Sequence, residues 1–176
     1  MLAKSILEQP RRLRYLCRGA VLTLTLWLAA FTSGLAPTEA DAGSVESVTR
    51  AVDIGDGVTL HYVEQGSGMP VVFVHGSLSD YSYWDTQLTA FSGRYRAIAY
   101  SRRYNPPNKN PARTGYSAVT DSDDLAAFVT KLRLGRVYVI GHSYGALTAL
   151  FLATRHPDLV RAVVVAEPPA AATPSR

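Results

Sequence analysis

Cysteine is nearly absent from this 176-residue chain. The single Cys17 excludes an intrachain disulfide framework, a cysteine-ligated zinc site and a thiol nucleophile in the body of the sequence. Charge of one sign is also scarce where it would matter. The formal net charge is +4, but Lys4, Arg11, Arg12, Arg14 and Arg18 all lie in the first 20 residues. From residue 43 onward 13 Lys and Arg face 11 Asp and Glu, with no basic run. A nucleic-acid footprint needs clustered positive charge, so nucleic acid is excluded as a partner. Long apolar runs are lacking as well: the stretch 20–31 holds 12 residues, against roughly 20 for a bilayer-spanning helix. No internal repeat is present.

What the N-terminus does hold reads as an address. A basic segment precedes the apolar stretch, and Ala40-Asp41-Ala42 forms an Ala-x-Ala cleavage site ahead of Gly43. Residues 1–42 are therefore expected to be an export signal, giving a periplasmic or secreted protein; the alternative is an uncleaved N-terminal membrane anchor, without which no stable membrane partner is expected. Residues 43–167 form the body, and 168–176 a Pro/Ala-rich tail.

Beyond residue 43 the hydrophobic period alternates between 2 and 3.6, which predicts an α/β domain with a mostly parallel sheet and helices on both faces. Strands are expected at 48–54 and 58–64 around Gly55-Asp56-Gly57, where an Asp-Gly pair suits a tight hairpin. Buried strands are expected at 71–74, 95–100, 137–140 and 160–166. Helices are expected at 84–91, 121–132 and 144–155, the second carrying Asp121, Asp123 and Asp124 at its positive dipole end. Proline and asparagine exclude regular structure from 101–115.

The chemistry concentrates at Gly141-His142-Ser143-Tyr144-Gly145, between a buried strand and a helix. Gly-x-Ser-x-Gly in that context is a nucleophile elbow: the flanking glycines avoid Cβ clashes in a sharp turn, and the turn lifts the Ser143 hydroxyl out of the sheet. The helix starting at Tyr144 offers free N–H groups to an oxyanion forming beside Ser143. Neither a metal nor an organic cofactor is expected.

With this elbow, Val71-Val72-Phe73-Val74-His75-Gly76, Ala99-Tyr100-Ser101-Arg102-Arg103 and Asp123-Asp124-Leu125 in place, the chain from about 48 to 167 resembles the α/β-hydrolases of the lipase, esterase, lactonase and cofactor-free haloperoxidase type. The resemblance implies that His75 and Gly76 position the loop after the third strand. It implies that the backbone N–H groups of Ser77 and Tyr144 form the oxyanion hole, and that Ser143 attacks a small-molecule substrate, an ester or lactone. Epoxide hydrolases and haloalkane dehalogenases resemble the chain around the elbow but use aspartate as nucleophile, so Ser143 argues against both. Tyr81, Tyr83, Trp84 and Tyr144 are expected as apolar or aromatic walls.

Serine needs a histidine base, itself oriented by a carboxylate, and none of the four histidines fits. His61 lies on a strand. His142 adjoins Ser143, with its side chain expected to point elsewhere. His156 follows by 13 residues of helix, roughly 20 Å. His75 is the one candidate base, and its expected task is to fix the loop backbone. Glu167 stands where some family members carry the triad acid, but no histidine is expected beside it. The chain is thus expected to be the N-terminal portion of an exported serine hydrolase, cut after about the sixth strand and inactive on its own. Two alternatives remain: a non-catalytic binding protein on the hydrolase fold, and perhydrolase or cofactor-free haloperoxidase chemistry at the same serine.

Overall fold

The computed structural model describes residues 48–169; the expected export signal, 1–42, and residues 170–176 of the tail lie outside the described residues. Strands β1 (Arg50–Gly55) and β2 (Val58–Gln65) form the opening hairpin, followed by β3 (Pro70–Val74), helix α1 (Asp85–Ser92), β4 (Arg96–Tyr100), α2 (Ala118–Lys131), β5 (Val137–His142), α3 (Tyr144–Arg155) and β6 (Val160–Ala166). The six strands lie in one sheet in the order β1-β2-β4-β3-β5-β6. The β1–β2 and β2–β4 pairs are antiparallel, and β4–β3, β3–β5 and β5–β6 are parallel.

Local chemistry accounts for most of these elements. Asp56 and Gly57 both take positive φ, 53° and 70°, as a hairpin turn matched to strand twist requires. All five residues of β3 are buried, because the strand is central and both faces are covered. Val72 and Val74 join a cluster with Leu125, Phe128, Ala149 and Leu152 of α2 and α3, while Val71 and Phe73 join Trp84 and Leu88 on the α1 face. Glu64 of β2 ties the antiparallel flank together, accepting from Arg50 at 2.9 Å and Arg96 at 2.6 Å.

The loop after β4 has no regular structure, yet it is fastened. Asn110 Oδ1 accepts from Thr59 N–H and its Nδ2 donates to the carbonyls of Thr59 and Arg103, all at 2.9 Å. Asn108 Oδ1 accepts from His61 N–H, also at 2.9 Å. The asparagines that excluded a strand thus satisfy the backbone of β2 in place of one.

Helix α2 begins three residues earlier than expected, at Ala118, with Ser117 as N-cap. Its acidic residues have a different task from the expected dipole complement. Asp121 and Asp124 are buried and pair with Arg102 at 2.7 Å and Arg103 at 2.5 Å; Asp123 is exposed and meets Arg155 and His156 at 3.1 Å. Carboxylates three apart on a helix share a face, and here that face looks onto the loop after β4. Among the described residues β6 has a strand neighbour on one edge only, and Val164 is 55% exposed. Among them, too, no helix is long and apolar enough to cross a membrane.

Candidate active site

Ser143 is the single residue between β5 and α3, at φ 52°, ψ −122°. A non-glycine residue at positive φ outside the small left-handed basin carries strain of order 1–3 kcal/mol. The turn is held from both sides: Ser143 N–H donates to Ala166 O at the end of β6, and Ser143 O accepts from Ala146 N–H, both at 2.9 Å. The glycines of the motif serve proximity rather than φ. A Cβ on Gly145 would collide with the carbonyl oxygens of Val74 and His75, and one on Gly141 with the carbonyl of Gly145. Glycine at both places lets the start of α3 press onto the end of β3.

That contact brings the loop after β3 to the elbow. A Cβ on Gly76 would stand 3.1 Å from Ser143 Cβ and 3.3 Å from His142 Nδ1, so Gly76 packs closely against Ser143 and His142. Ser77 follows in an exposed turn. Tyr144 is the first residue of α3, where an N–H has no acceptor within its own helix.

His75 is fully buried. Its Nδ1–H donates to Gly76 O at 2.7 Å, and its Nε2 accepts from Arg102 N–H at 3.0 Å. A carbonyl only accepts and an amide only donates, so the tautomer is fixed. Burial, with Arg102 adding to it, lowers the His75 pKa to about 4. His75 is therefore neutral near pH 7 with both nitrogens occupied, and cannot accept the Ser143 proton; the candidate base of the sequence is removed by its own hydrogen bonds.

Arg102 was not assigned a role from the sequence, although it ties this flank together. Its Nη2 donates to Gly76 O at 2.9 Å and its Nη1 to Asp121 Oδ2 at 2.7 Å. Tyr116 O–H donates to the same carboxylate at 2.6 Å, and the guanidinium lies 4.7 Å from the Tyr144 ring centroid. Burial pushes the Asp121 carboxyl above its ordinary range, while Arg102 and Tyr116 pull it back. The readable signal was two adjacent arginines at a strand end and buried-side aspartates on the next helix, since buried charges occur in pairs.

The opposite flank contains the second correction. It concerns Glu167, which meets the His142 ring. The His142 Nε2 lies 3.3 Å from Glu167 Oε2, its ring stacks on Tyr83 at 5.1 Å and 17°, and its Nδ1 is buried without a partner among the described residues. Glu167 thus has a histidine beside it, contrary to the sequence expectation, while remaining 85% exposed as a side chain. Glu167 comes beside His142 because the pairing of β5 with β6 sets Ala166 opposite His142. Of the expected aromatic walls, Trp84 is core and Tyr81 packs against the same cluster; Tyr83 stacks on the His142 ring, and the Tyr144 ring lies under the Arg102 guanidinium. His61 is bound to Asn108, and His156 caps the far end of α3. Among the described residues no three His, Cys, Asp or Glu side chains gather as metal ligands.

Residues 69–175 match the family model described as alpha/beta hydrolase fold. Over 125 residues the chain is 37% identical to the 2-(acetamidomethylene)succinate hydrolase of Mesorhizobium japonicum, covering 71% of this chain and 44% of that protein. It is 30% identical over 122 residues to epoxide hydrolase 2 of Siraitia grosvenorii, covering 68% and 39%. Among solved structures, that of E-2-(acetamidomethylene)succinate hydrolase superposes with a TM-score of 0.64 at 36% identity, covering 68% of this chain and 44% of the other. The chain thus spans less than half the length of these relatives. With the matched region exceeding half of its own length and the elbow seated at the carboxyl edge of the sheet, the chain belongs to the alpha/beta hydrolase family.

Proposed function

We propose that Ser143 is the nucleophile of a carboxylic-ester or lactone hydrolase acting through an acyl-Ser143 intermediate. The observation that carries this is the isolated, positive-φ serine between β5 and α3, with the Gly76–Ser77 backbone on one side and the first turn of α3 on the other. In this reading Ser143 Oγ attacks the acyl carbon. The Ser77 and Tyr144 N–H groups receive the oxyanion, His75 and Gly76 hold the loop that carries Ser77, and Glu167 supplies the carboxylate beside the site. Serine in place of a carboxylate nucleophile favours acyl transfer over epoxide opening.

His75 is committed to the backbone, so sustained turnover by this chain is expected to stay near the residual level left by an oxyanion hole and binding alone, about 10³–10⁴ over water. The test is intact-mass analysis after incubation with p-nitrophenyl acetate. One acetyl group, located on Ser143 and absent from Ser143→Ala, is the expected result; acetylation that survives the substitution overturns the assignment. Export belongs to the same proposal. The mature N-terminus is expected at Gly43, and N-terminal sequencing that returns Met1 from a membrane fraction would favour the anchor.

A further inference from the structure

We propose that Arg102 orients the oxyanion hole, setting the Gly76–Ser77 peptide through its guanidinium and through His75, and bracing Tyr144 with the same guanidinium. This rests on the reading of Ser143 as nucleophile and of the Ser77 and Tyr144 N–H groups as oxyanion donors, and it adds the residue that aims those donors.

The Gly76 carbonyl and the Ser77 N–H belong to one peptide unit. Among the described residues the cis peptide bond is Pro106–Pro107, so this unit is trans, and its C=O and N–H point in opposite directions. Whatever holds Gly76 O therefore aims Ser77 N–H. Two donors hold it, His75 Nδ1 at 2.7 Å and Arg102 Nη2 at 2.9 Å, which fills both lone pairs of the carbonyl oxygen. Both bonds trace to Arg102. Its own amide donates to His75 Nε2 at 3.0 Å and so fixes the ring that supplies the first bond, while its side chain supplies the second. Both donors are buried and Ser77 is exposed, so the N–H of this peptide is directed away from the core.

The guanidinium is itself anchored. Nη1 donates to Asp121 Oδ2 at 2.7 Å and to the Tyr116 hydroxyl oxygen at 3.0 Å, and because the fork is planar and rigid, fixing one nitrogen places the other. The same group lies 4.7 Å from the Tyr144 ring centroid, inside the range of a cation–π contact. One buried cation thus touches the peptide that carries the first donor and the residue that carries the second. A charge-assisted bond to a carbonyl also polarises its amide, and this strengthens the N–H at the other end as a donor. Arg102 acts through that peptide and is a positioning residue.

The experiment uses the full chain and two acyl donors, p-nitrophenyl acetate and its thiono analogue, in which sulfur replaces the carbonyl oxygen. With either, the Ser143 Oγ–C bond forms, p-nitrophenolate leaves and the Oγ proton passes to buffer. Sulfur is larger and accepts hydrogen bonds weakly, so a hole shaped for oxygen favours the acetate. The ratio of the two rates at Ser143, followed by peptide mass spectrometry, therefore reads the hole and not the nucleophile. Arg102→Met is expected to lower the acetate rate about 10-fold, less than the roughly 10²–10³-fold of a donor removed outright, because His75 still holds Gly76 O. The thiono rate should fall less, so the ratio falls. Arg102→Met combined with Asp121→Leu removes both members of the buried pair and should show the same fall in ratio, whatever the single change does to stability. A ratio that stays at its original value in either variant, whether neither rate changes or both fall together, overturns the proposal and leaves Ser143 as nucleophile. Absence of any Ser143 acetylation in the unsubstituted chain overturns the nucleophile reading and this inference together.

Discussion

On the β3 flank of Ser143, His75, Arg102 and Asp121 are each no more than 4% exposed and are bound to one another or to backbone. On the β6 flank, Glu167 is 85% exposed as a side chain, and Val164 is 55% exposed on a strand with one neighbour among the described residues. The same edge of the sheet is thus supported by a closed side-chain network on one side and, on the other, by the backbone bond from Ser143 to Ala166 and the solvent-screened His142–Glu167 contact. Polar groups in a low-dielectric interior are costly to leave unpaired, whereas surface pairs contribute little. The two flanks should therefore respond to substitution on different scales. Substitutions on the β3 flank should be the more costly to stability.

The largest effect is expected at Asp121→Asn. Removing one partner of a buried ion pair leaves Arg102 uncompensated and typically costs 3–5 kcal/mol, a large part of the about 5–15 kcal/mol by which domains are stable. The urea midpoint should fall sharply. Because the penalty is that of the abandoned charge, Arg102→Met combined with Asp121→Leu should be less destabilised than the sum of its single changes. Additive losses would mean that the two side chains do not share a network and that the contrast between flanks is overstated.

A pH effect of intermediate size follows from His75. Its folded pKa of about 4 lies below the value of about 6.5 for an unperturbed histidine. Between those values the unfolded chain binds more protons, so this contribution is complete above about pH 6.5 and is lost as pH falls toward 4. Between pH 7 and pH 5 the loss should be about 2 kcal/mol, at 1.36 kcal/mol per unit. His75→Gln should flatten the dependence of the urea midpoint on pH over that interval. An unchanged slope would place the sensitivity on some other group.

The same contrast explains what could be read from residues alone. Strand and helix placement was legible because hydrophobic period, the Asp-Gly turn and the Gly-x-Ser-x-Gly spacing are local. The opening hairpin, the central strand at 71–74 and the elbow at Ser143 lie where those signals put them. Side-chain partnerships were less legible, since they depend on tertiary approach. Asp121 reads as a dipole complement until the loop after β4 brings Arg102 onto it. Glu167 reads as solitary until the pairing of β5 with β6 sets His142 beside it. Both errors concern polar residues whose partners are 19 and 25 positions away, beyond any helical or strand repeat.

The smallest effect is expected on the open face of β6. Val164 lies in an apolar hollow with Val71, Tyr95, Tyr138 and Ile140, more than half exposed, so water already meets most of the surface that a substitution would alter. Val164→Lys should shift the urea midpoint by no more than about 0.5 kcal/mol, the range for exposed positions. Binding of a hydrophobic dye and light scattering on heating should fall, because a charge on an edge strand opposes strand addition and dilutes the apolar patch. Acetylation of Ser143 by p-nitrophenyl acetate should be unchanged, since the hollow is formed by the α1 face of the sheet and not by the elbow. A loss of more than about 1 kcal/mol would be incompatible with a freely solvated valine. It would show that this face is covered in solution, and would move β6 from the open side of the comparison to the closed one.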